Sequence, residues 1–297
     1  MVKEPYHKDE EWYFDLEPGQ VVLEGTPGGW DASGVHTLSI VEADRDGWKY
    51  WGYYCGGDYY YSFGTGLARS NDLLHWTKYT IKKPLLGSDS AGYGGRWPSV
   101  VRIDETFYMF VTKDYKTDSH IVLYTSRDGI KFDFLKDIVR PESGLRNQNP
   151  NLFYNENENK WYLYYYHGND RDLFQILAKC SDDLTELDKG RETMVLQDKN
   201  NEIVAAPSMF CWKGKYYLLT ETTIKNKDDW RTLAWSSHNP ISGFVELKNS
   251  PLPGFIHACA FQHYLNNNLV ITYSYQQVAH PTWKWDIRIT QAITTEA

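Results

Sequence analysis

The 297-residue sequence predicts an all-β protein that folds as one five-bladed β-propeller domain, residues 1–297. First, one pattern of three strands recurs five times, at a spacing of roughly 50 to 60 residues that suits a propeller blade. Second, the first strand of each copy is mostly apolar on both faces, as expected for strands buried around a central axis. Third, no segment carries a sustained helical period. A β-sandwich also accommodates such strands, but the fixed order of elements within each copy favours the propeller.

Each copy begins with an apolar strand that we place innermost, next to the propeller axis. These innermost strands are predicted near residues 37–41, 98–102, 150–154, 207–211 and 258–262. After a turn, an aromatic strand follows near residues 48–53, 107–111, 161–165, 216–219 and 269–273. A third strand comes next, near residues 67–70, 121–126, 176–181, 233–237 and 287–289. Residues 12–22 precede the first copy and are predicted to supply an outer strand that closes the ring.

Composition and charge restrict the classes of partner. The net charge is −8 and the basic residues form no stripe, so nucleic acid is not an expected partner. There is no apolar run long enough for a membrane-spanning helix. The four cysteines lie far apart without metal-ligand spacing, so we expect free thiols and neither a metal nor another cofactor. Residues 1–10 lack the apolar segment of a signal peptide, so the protein is either cytoplasmic or secreted with its signal removed, and the free thiols slightly favour the cytoplasm.

Aromatic residues make up 16% of the sequence, with 12 Trp and 23 Tyr. A tyrosine tolerates a half-solvated site, so this content suits a protein that binds sugar. Strands also favour aromatic residues for reasons unrelated to any ligand. Both explanations are kept at this point, since neither excludes the other.

A propeller brings the segments that enter its innermost strands, and the loops that leave its second strands, to one end of the central channel. Polar side chains are concentrated there, where a core would be apolar. The entering segments contribute Trp30, Asp31, His36, Arg96, Trp97, Arg146, Asn149, Glu202 and His257. The loops contribute Asp114, Asp170 and Glu221. We predict that these residues line a funnel for a carbohydrate, and all except Asp31, Glu202 and Glu221 are assigned to substrate binding.

Four motifs resemble blades of the family 43 glycoside hydrolases and their furanosidase relatives. They are Trp97-Pro98-Ser99-Val100, Asn149-Pro150-Asn151-Leu152, Ala206-Pro207-Ser208-Met209 and Gly254-Phe255-Ile256-His257, which match blades two to five in order. The resemblance implies hydrolysis of a terminal sugar, for example a furanoside such as arabinose, from an oligo- or polysaccharide. It also implies a central histidine near an ion or water, although we expect no metal at His257.

The sequence departs from this family at its catalytic positions. The family uses an Asp base in blade one, a helper Asp in blade three and a Glu acid in blade four. This chain has Thr37, Asn149 and Ala205 near those places. The family's catalytic set therefore does not carry over, and either other carboxylates have taken these roles or catalysis has been lost.

Cleavage of a glycoside needs two carboxyl groups, one protonated and one ionised. Asp31, in the glycine-rich segment 28–34, is the predicted base or substrate anchor, because glycines let the backbone approach a ligand closely. An Asp that only holds a turn is the alternative. Glu202 and Glu221 of the fourth copy are the predicted acids, with a slight preference for Glu202. Binding of sugar hydroxyls, with Asp114 or Asp170 as the acid, is the alternative for this pair.

Three functions remain open from the sequence. The first is a glycoside hydrolase. The second is a phosphorylase on the same scaffold, in which Arg96, Arg146 and Arg171 would bind phosphate. The third is a sugar-binding propeller without catalysis, which the uncharged residues at the family's catalytic positions suggest.

Overall fold

The computed structural model consists almost entirely of β-strands. It describes residues 12–14, 19–57, 63–87, 93–115, 117–142, 144–169, 173–197, 202–212, 214–224, 231–247, 256–265, 268–278 and 284–294. One 3₁₀ helix, Leu184–Lys189, interrupts the strands. Within the described part of the chain, no helix has the length and apolar character needed to cross a membrane.

The described strands form five antiparallel blades, and single parallel pairs join blade 5 to blade 1 (Trp285 with Gly34) and blade 2 to blade 3 (Arg146 with Ser119). Two short strands come first, β1 (Trp12–Phe14) and β2 (Gln20–Glu24). Blade 1 contains β3 (Gly34–Arg45), β4 (Trp48–Gly57), β5 (Gly64–Ser70) and β6 (Thr77–Lys78). Blade 2 contains β7 (Tyr93–Ile103), β8 (Thr106–Asp114), β9 (Ser119–Ser126) and β10 (Asp133–Val139). Blade 3 contains β11 (Arg146–Asn155), β12 (Lys160–Gly168), β13 (Phe174–Ser181) and β14 (Glu192–Gln197).

The last two blades complete the ring. Blade 4 contains β15 (Glu202–Trp212), β16 (Lys215–Ile224), β17 (Arg231–Ser237) and β18 (Val245–Glu246). Blade 5 contains β19 (Ile256–Leu265), β20 (Asn268–Val278) and β21 (Lys284–Thr294). The innermost strands contact one another in the circular order β3, β7, β11, β15, β19 and back to β3. All five predicted innermost strands are confirmed, and they fall inside these five elements.

The outer strand of blade 5 comes from the other end of the sequence. β2 pairs antiparallel with β21, with Gln20 opposite Ile289 and Glu24 opposite Asp286. β1 pairs antiparallel with the far end of the same strand. The prediction that residues 12–22 close the ring is therefore confirmed.

Aromatic side chains fill much of the space between the blades. Between blades 1 and 2, Trp51 and Tyr53 of β4 pack against Phe107 and Met109 of β8, and all four are fully buried. The rings of Trp51 and Phe107 are stacked with their centroids 5.8 Å apart. A large part of the aromatic content therefore serves the core, as the propensity of strands for aromatic residues indicates.

Each innermost strand is interrupted by a β-bulge at the same level. In the four blades with described side chains, the bulge contains one residue with a left-handed backbone. These residues are Thr37 (φ 51°), Trp97 (φ 51°), Asn149 (φ 54°) and Ala206 (φ 46°). A left-handed β-branched or bulky residue is uncommon, and bulges are frequent where a strand must redirect side chains beside a site. The bulges therefore lie at one end of the central channel, where the pairing register between the first and second strands of each blade shifts.

A side chain two residues after each of the first three bulges links its blade to the next one. It accepts a hydrogen bond from a backbone N–H of the following innermost strand, which would otherwise be buried without a partner. The bonds run from Val100 to Ser39 Oγ (2.9 Å), from Leu152 to Ser99 Oγ (3.0 Å) and from Met209 to Asn151 Oδ1 (2.9 Å). The blades are therefore joined by directed bonds as well as by apolar packing.

Candidate functional site

The site is built at the end of the ring where innermost strands begin and second strands end. Just before each bulge, an innermost-strand residue lies opposite one residue of the second strand. The five pairs are His36 with Cys55, Arg96 with Thr112, Gln148 with Tyr166, Ala205 with Glu221 and His257 with Ser274. Residues directly opposite each other have Cβ atoms about 5 Å apart. Of these ten residues, Glu221 alone carries a carboxylate, and its side chain is buried.

Asp114, the last residue of β8, is the centre of a polar cluster between blades 2 and 3. Its Oδ2 accepts an ion-pair hydrogen bond from Arg96 Nη2. Its Oδ1 accepts hydrogen bonds from Ser119 Oγ at 2.6 Å and from Gln148 Nε2 at 3.3 Å. Gln148 Nε2 also lies 3.1 Å from Ser119 Oγ. The carboxylate is therefore held in one orientation by three elements, which is the usual requirement for a site residue.

Arg96 is held between this carboxylate and two aromatic rings. Its guanidinium lies 4.1 Å from the ring centroid of Trp97 and 5.4 Å from that of Phe63. Cation–π contacts of this kind fix a guanidinium over a ring face. Arg96 and Trp97 thus form a rigid pair, one able to donate hydrogen bonds and the other able to pack against a sugar ring.

His36 lies beside this pair, on blade 1. Its ring centroid is 4.8 Å from that of Trp285 and 6.4 Å from that of Phe63. Burial lowers the pKa of His36 to about 4, so the imidazole is neutral at neutral pH. A neutral imidazole offers one donor and one acceptor, which suits a sugar hydroxyl.

The lowered pKa of His36 makes stability depend on pH. The unfolded chain binds the proton near pH 6.5 and the folded chain only near pH 4, so lowering the pH through this window favours unfolding. We expect the wild type to lose about 2–3 kcal/mol more than His36→Gln between pH 7 and pH 4.5. Urea unfolding of both proteins at the two pH values measures this difference. Equal losses in the two proteins would contradict the assignment.

Asp31 lies in a closed network at the entry to blade 1. Its side chain has no exposed surface. Oδ1 accepts a hydrogen bond from the Thr26 N–H at 3.0 Å, and Oδ2 accepts from Tyr54 Oη at 3.0 Å and from Lys78 Nζ at 2.6 Å. This position differs from the predicted one on the funnel surface, because three donors and the surrounding loop enclose the carboxylate.

Trp30 belongs to the same network. Its Nε1 donates to the Thr80 carbonyl at 2.7 Å, and its ring stacks on Tyr54 with centroids 5.8 Å apart. Lys78 Nζ also donates to the Glu24 carbonyl and to Thr26 Oγ1. These contacts fix the glycine-rich segment that leads into β3.

The remaining predicted residues differ in how much of each one the structure describes. Arg146 begins β11 and is half-buried, while Asn149 occupies the bulge of the same strand and its N–H donates to Thr112 Oγ1 at 3.1 Å. Glu202 and His257 lie in β15 and β19, but their side chains are outside the described part. Asp170, together with Arg171, lies outside the described residues altogether.

Ser119 and Phe63 were not predicted from the sequence. Both belong to the segments that enter third strands, which reach the same end of the ring as the segments considered. A search extended to those segments would have found them. Among the described residues, no group of His, Cys, Asp and Glu side chains forms a metal site.

Comparison with families and curated proteins gives one match. The model for the N-terminal domain of glycosyl hydrolases family 32 matches residues 30–163. That segment covers blade 1, blade 2 and the first half of blade 3. No curated protein matches the chain.

Solved structures match nearly the whole chain at low identity. A thermostable family-43 glycoside hydrolase is 14% identical with a TM-score of 0.72, covering 96% of this chain and 94% of that one. An endo-arabinase from Bacteroides thetaiotaomicron is 15% identical with a TM-score of 0.69, covering 94% and 99%. An N-acetylgalactosamine deacetylase from F. plautii, in complex with blood group B trisaccharide, is 13% identical with a TM-score of 0.73, covering 95% of both chains. These likenesses show the five-bladed propeller fold.

Proposed function

We propose that the chain is a glycoside hydrolase that cleaves a terminal sugar from an oligo- or polysaccharide, because residues 30–163 match the N-terminal domain of glycosyl hydrolases family 32 and the fold is like that of a family-43 structure. The proposal includes furanosides such as arabinosides, since one matched structure is an arabinase. Hydrolysis needs two carboxyl groups. They must come from positions other than Thr37, Asn149 and Ala205, where the family 43 resemblance puts its three carboxylates.

The observation that carries the proposal is the pairing of Ala205 with Glu221. Ala205 stands near the place where the family 43 resemblance puts the acid. Glu221 lies directly across the hairpin on the same face, so its longer side chain can bring a carboxyl group to the same region. We assign Glu221 as the general acid. In this chain the acid would then stand on β16, the second strand of blade 4, instead of on β15, the first. Glu202 remains the competing candidate.

Asp114 is the proposed ionised carboxylate. It belongs to blade 2, and Arg96, Ser119 and Gln148 hold it at the end of β8. Arg96, Trp97 and His36 surround the same region and are proposed to bind sugar hydroxyls and the sugar ring face. Asp31, predicted as base, is proposed instead to hold the segment between β2 and β3, since its carboxylate is enclosed by Lys78, Tyr54 and Thr26.

A set of 4-nitrophenyl glycosides tests the proposal. We expect the purified protein to release nitrophenol from at least one furanoside or pyranoside without added phosphate. Asp114→Asn should lower that rate by about 10²-fold or more, because a positioned carboxylate typically contributes that much. A rate that needs phosphate would support the phosphorylase instead.

A sugar-binding propeller without hydrolysis is the second candidate. The uncharged side chains of Thr37, Asn149 and Ala205 favour it, and the matched deacetylase indicates that this fold also occurs in proteins named for other reactions on sugars. Calorimetric binding of an oligosaccharide by a protein that releases none of the tested sugars would support this candidate and contradict hydrolysis.

A further inference from the structure

Two aromatic rings lie side by side at the end of blade 3 that is opposite the candidate site. Tyr154 of β11 stands directly across the hairpin from Trp161 of β12, and the ring centroids are 4.7 Å apart with the planes tilted by 41°. Tyr154 keeps 37% of its surface exposed, and Trp161 is half-buried. We call Tyr154 and Trp161 the aromatic pair. It lies outside the funnel, because six residue steps along β11 separate Tyr154 from Gln148, which is about 20 Å in an extended strand.

Core packing accounts for Trp161 but not for Tyr154. Trp161 packs, together with Leu152, against the apolar cluster between blades 2 and 3. Tyr154 is instead exposed, and its hydroxyl donates a hydrogen bond to Asn159 Oδ1 in the turn between the two strands. A ring tied down in this way loses conformational freedom without the burial that compensates a core residue. A ligand on the exposed face of Tyr154 supplies that compensation.

The turn that holds the Tyr154 hydroxyl is itself fixed. It consists of residues 156–159, and Asn159 adopts a left-handed backbone with φ 54°. Asn155, which precedes the turn, is buried and accepts a hydrogen bond from the Asn157 N–H at 3.2 Å. Its Nδ2 donates to Tyr216 Oη of blade 4 at 2.8 Å. The exposed ring is therefore held in one orientation before any ligand arrives, which lowers the entropic cost of binding.

The surroundings of the aromatic pair select a carbohydrate as the ligand. The faces of Tyr and Trp rings pack against apolar surface while polar groups at their edges meet hydroxyls, which is the combination that a sugar ring presents. The adjoining segment supplies such polar groups, and its first four residues are exposed: Glu156-Asn157-Glu158-Asn159-Lys160. A stable protein interface needs about 800 Å² on each partner. One Tyr or Trp side chain offers at most roughly 150–250 Å², which suits one or two sugar units instead.

We propose that the aromatic pair is a second carbohydrate-binding site, at which a segment of a polysaccharide packs on the two rings. The choice of ligand rests on the proposed function, because the polymer bound here is the one whose terminal sugar the funnel cleaves. Attachment at a second site keeps the ends of the polymer close to the funnel and raises their effective concentration, without any new contact in the funnel. This advantage is confined to polymers, since a small glycoside does not extend from one end of the propeller to the other.

Affinity electrophoresis of the full-length protein, in gels that contain arabinan, arabinoxylan or xylan, tests this binding without requiring hydrolysis. We expect at least one of the three polymers to retard the wild type. Tyr154→Ala should raise the dissociation constant for that polymer by about tenfold, because it removes one aromatic contact. Tyr154→Phe keeps the ring and should stay within about twofold of the wild type. Thermal unfolding of both variants checks that the blade is intact.

Phe134→Ala is the matched control. Phe134 of β10 is another exposed ring, 54% exposed, and it packs against Tyr124 with centroids 5.7 Å apart. This variant should be retarded like the wild type. An equal loss of retardation in Phe134→Ala and Tyr154→Ala would overturn the proposal, because it would indicate unspecific adhesion to exposed rings.

Two further results would also overturn the proposal: no retardation of the wild type by any of the three polymers, or unchanged retardation of Tyr154→Ala. Since retardation is measured without turnover, these failures are distinct from a failure to find a glycoside that the protein cleaves. With a cleaved polymer, Tyr154→Ala should raise the KM for the polymer relative to the KM for a nitrophenyl glycoside.

Discussion

Replacing Glu221 with glutamine should lower the hydrolysis rate of a glycoside with a poor leaving group by about 10²–10⁴-fold. A poor leaving group needs a proton from the enzyme as the bond breaks, and glutamine cannot supply one. The 2,4-dinitrophenolate group leaves as a stable anion without that proton, so the hydrolysis rate of a 2,4-dinitrophenyl glycoside should fall far less. Measurement of kcat/KM on matched substrates with the two leaving groups gives the ratio that identifies an acid.

Glu202→Gln is the matched control for this experiment, since Glu202 belongs to the same hairpin and lies opposite Ile224. It should affect both substrates alike and only weakly. If Glu202→Gln shows the dependence on leaving group and Glu221→Gln does not, the acid is Glu202. Equal losses of rate on both substrates in both variants would show that blade 4 does not supply the acid.

Replacing Lys78 with methionine should destabilise the protein by about 3–5 kcal/mol, because it leaves the carboxylate of Asp31 buried without its cation. The side chain of Asp31 has no exposed surface and that of Lys78 is 12% exposed, so water cannot compensate. Urea unfolding followed by tryptophan fluorescence measures the change.

The double variant Asp31→Asn, Lys78→Met is the control for this pair. It removes both charges, so it should recover most of the stability that the single change loses. If the double variant is as unstable as Lys78→Met alone, the loss comes from packing of the lysine stem rather than from the charge. A loss below about 1 kcal/mol in the single variant would place the pair in the class of exposed ion pairs.

The ring of blades could be predicted because its signal is repeated. Each innermost strand is short and apolar, and five similar strands at a regular spacing leave few alternatives. The outer strand from residues 12–22 could also be predicted, since a propeller must close and no other strand was left for blade 5. The links between blades could not, because Ser39 and Ser99 are ordinary strand residues until the bulges place them beside the next blade.

Less of the candidate site than of the fold could be predicted from the sequence. Whether Glu221 or Thr222 faces Ala205 depends on the bulge in β15, since a shift of one residue turns a side chain to the other face. Asp31 shows the opposite difficulty. A glycine-rich entry is typical of a ligand site, but the partner that encloses Asp31 is Lys78, which stands 47 positions later in the chain. Contacts between segments so far apart leave no local pattern.

The pairing of β2 with β21 has a consequence for how the protein is made. The ribosome releases β2 before any blade exists, whereas β21 emerges after the other four blades. Throughout translation β2 therefore lacks its partner, and the nascent chain is an open arc whose first and last sheets expose unpaired edges. The entropic cost of joining the two ends grows only slowly with the length between them, so closure is limited by the order of synthesis rather than by distance. A nascent chain arrested before residue 284 would thus present the sheet edges that chaperones and other chains bind.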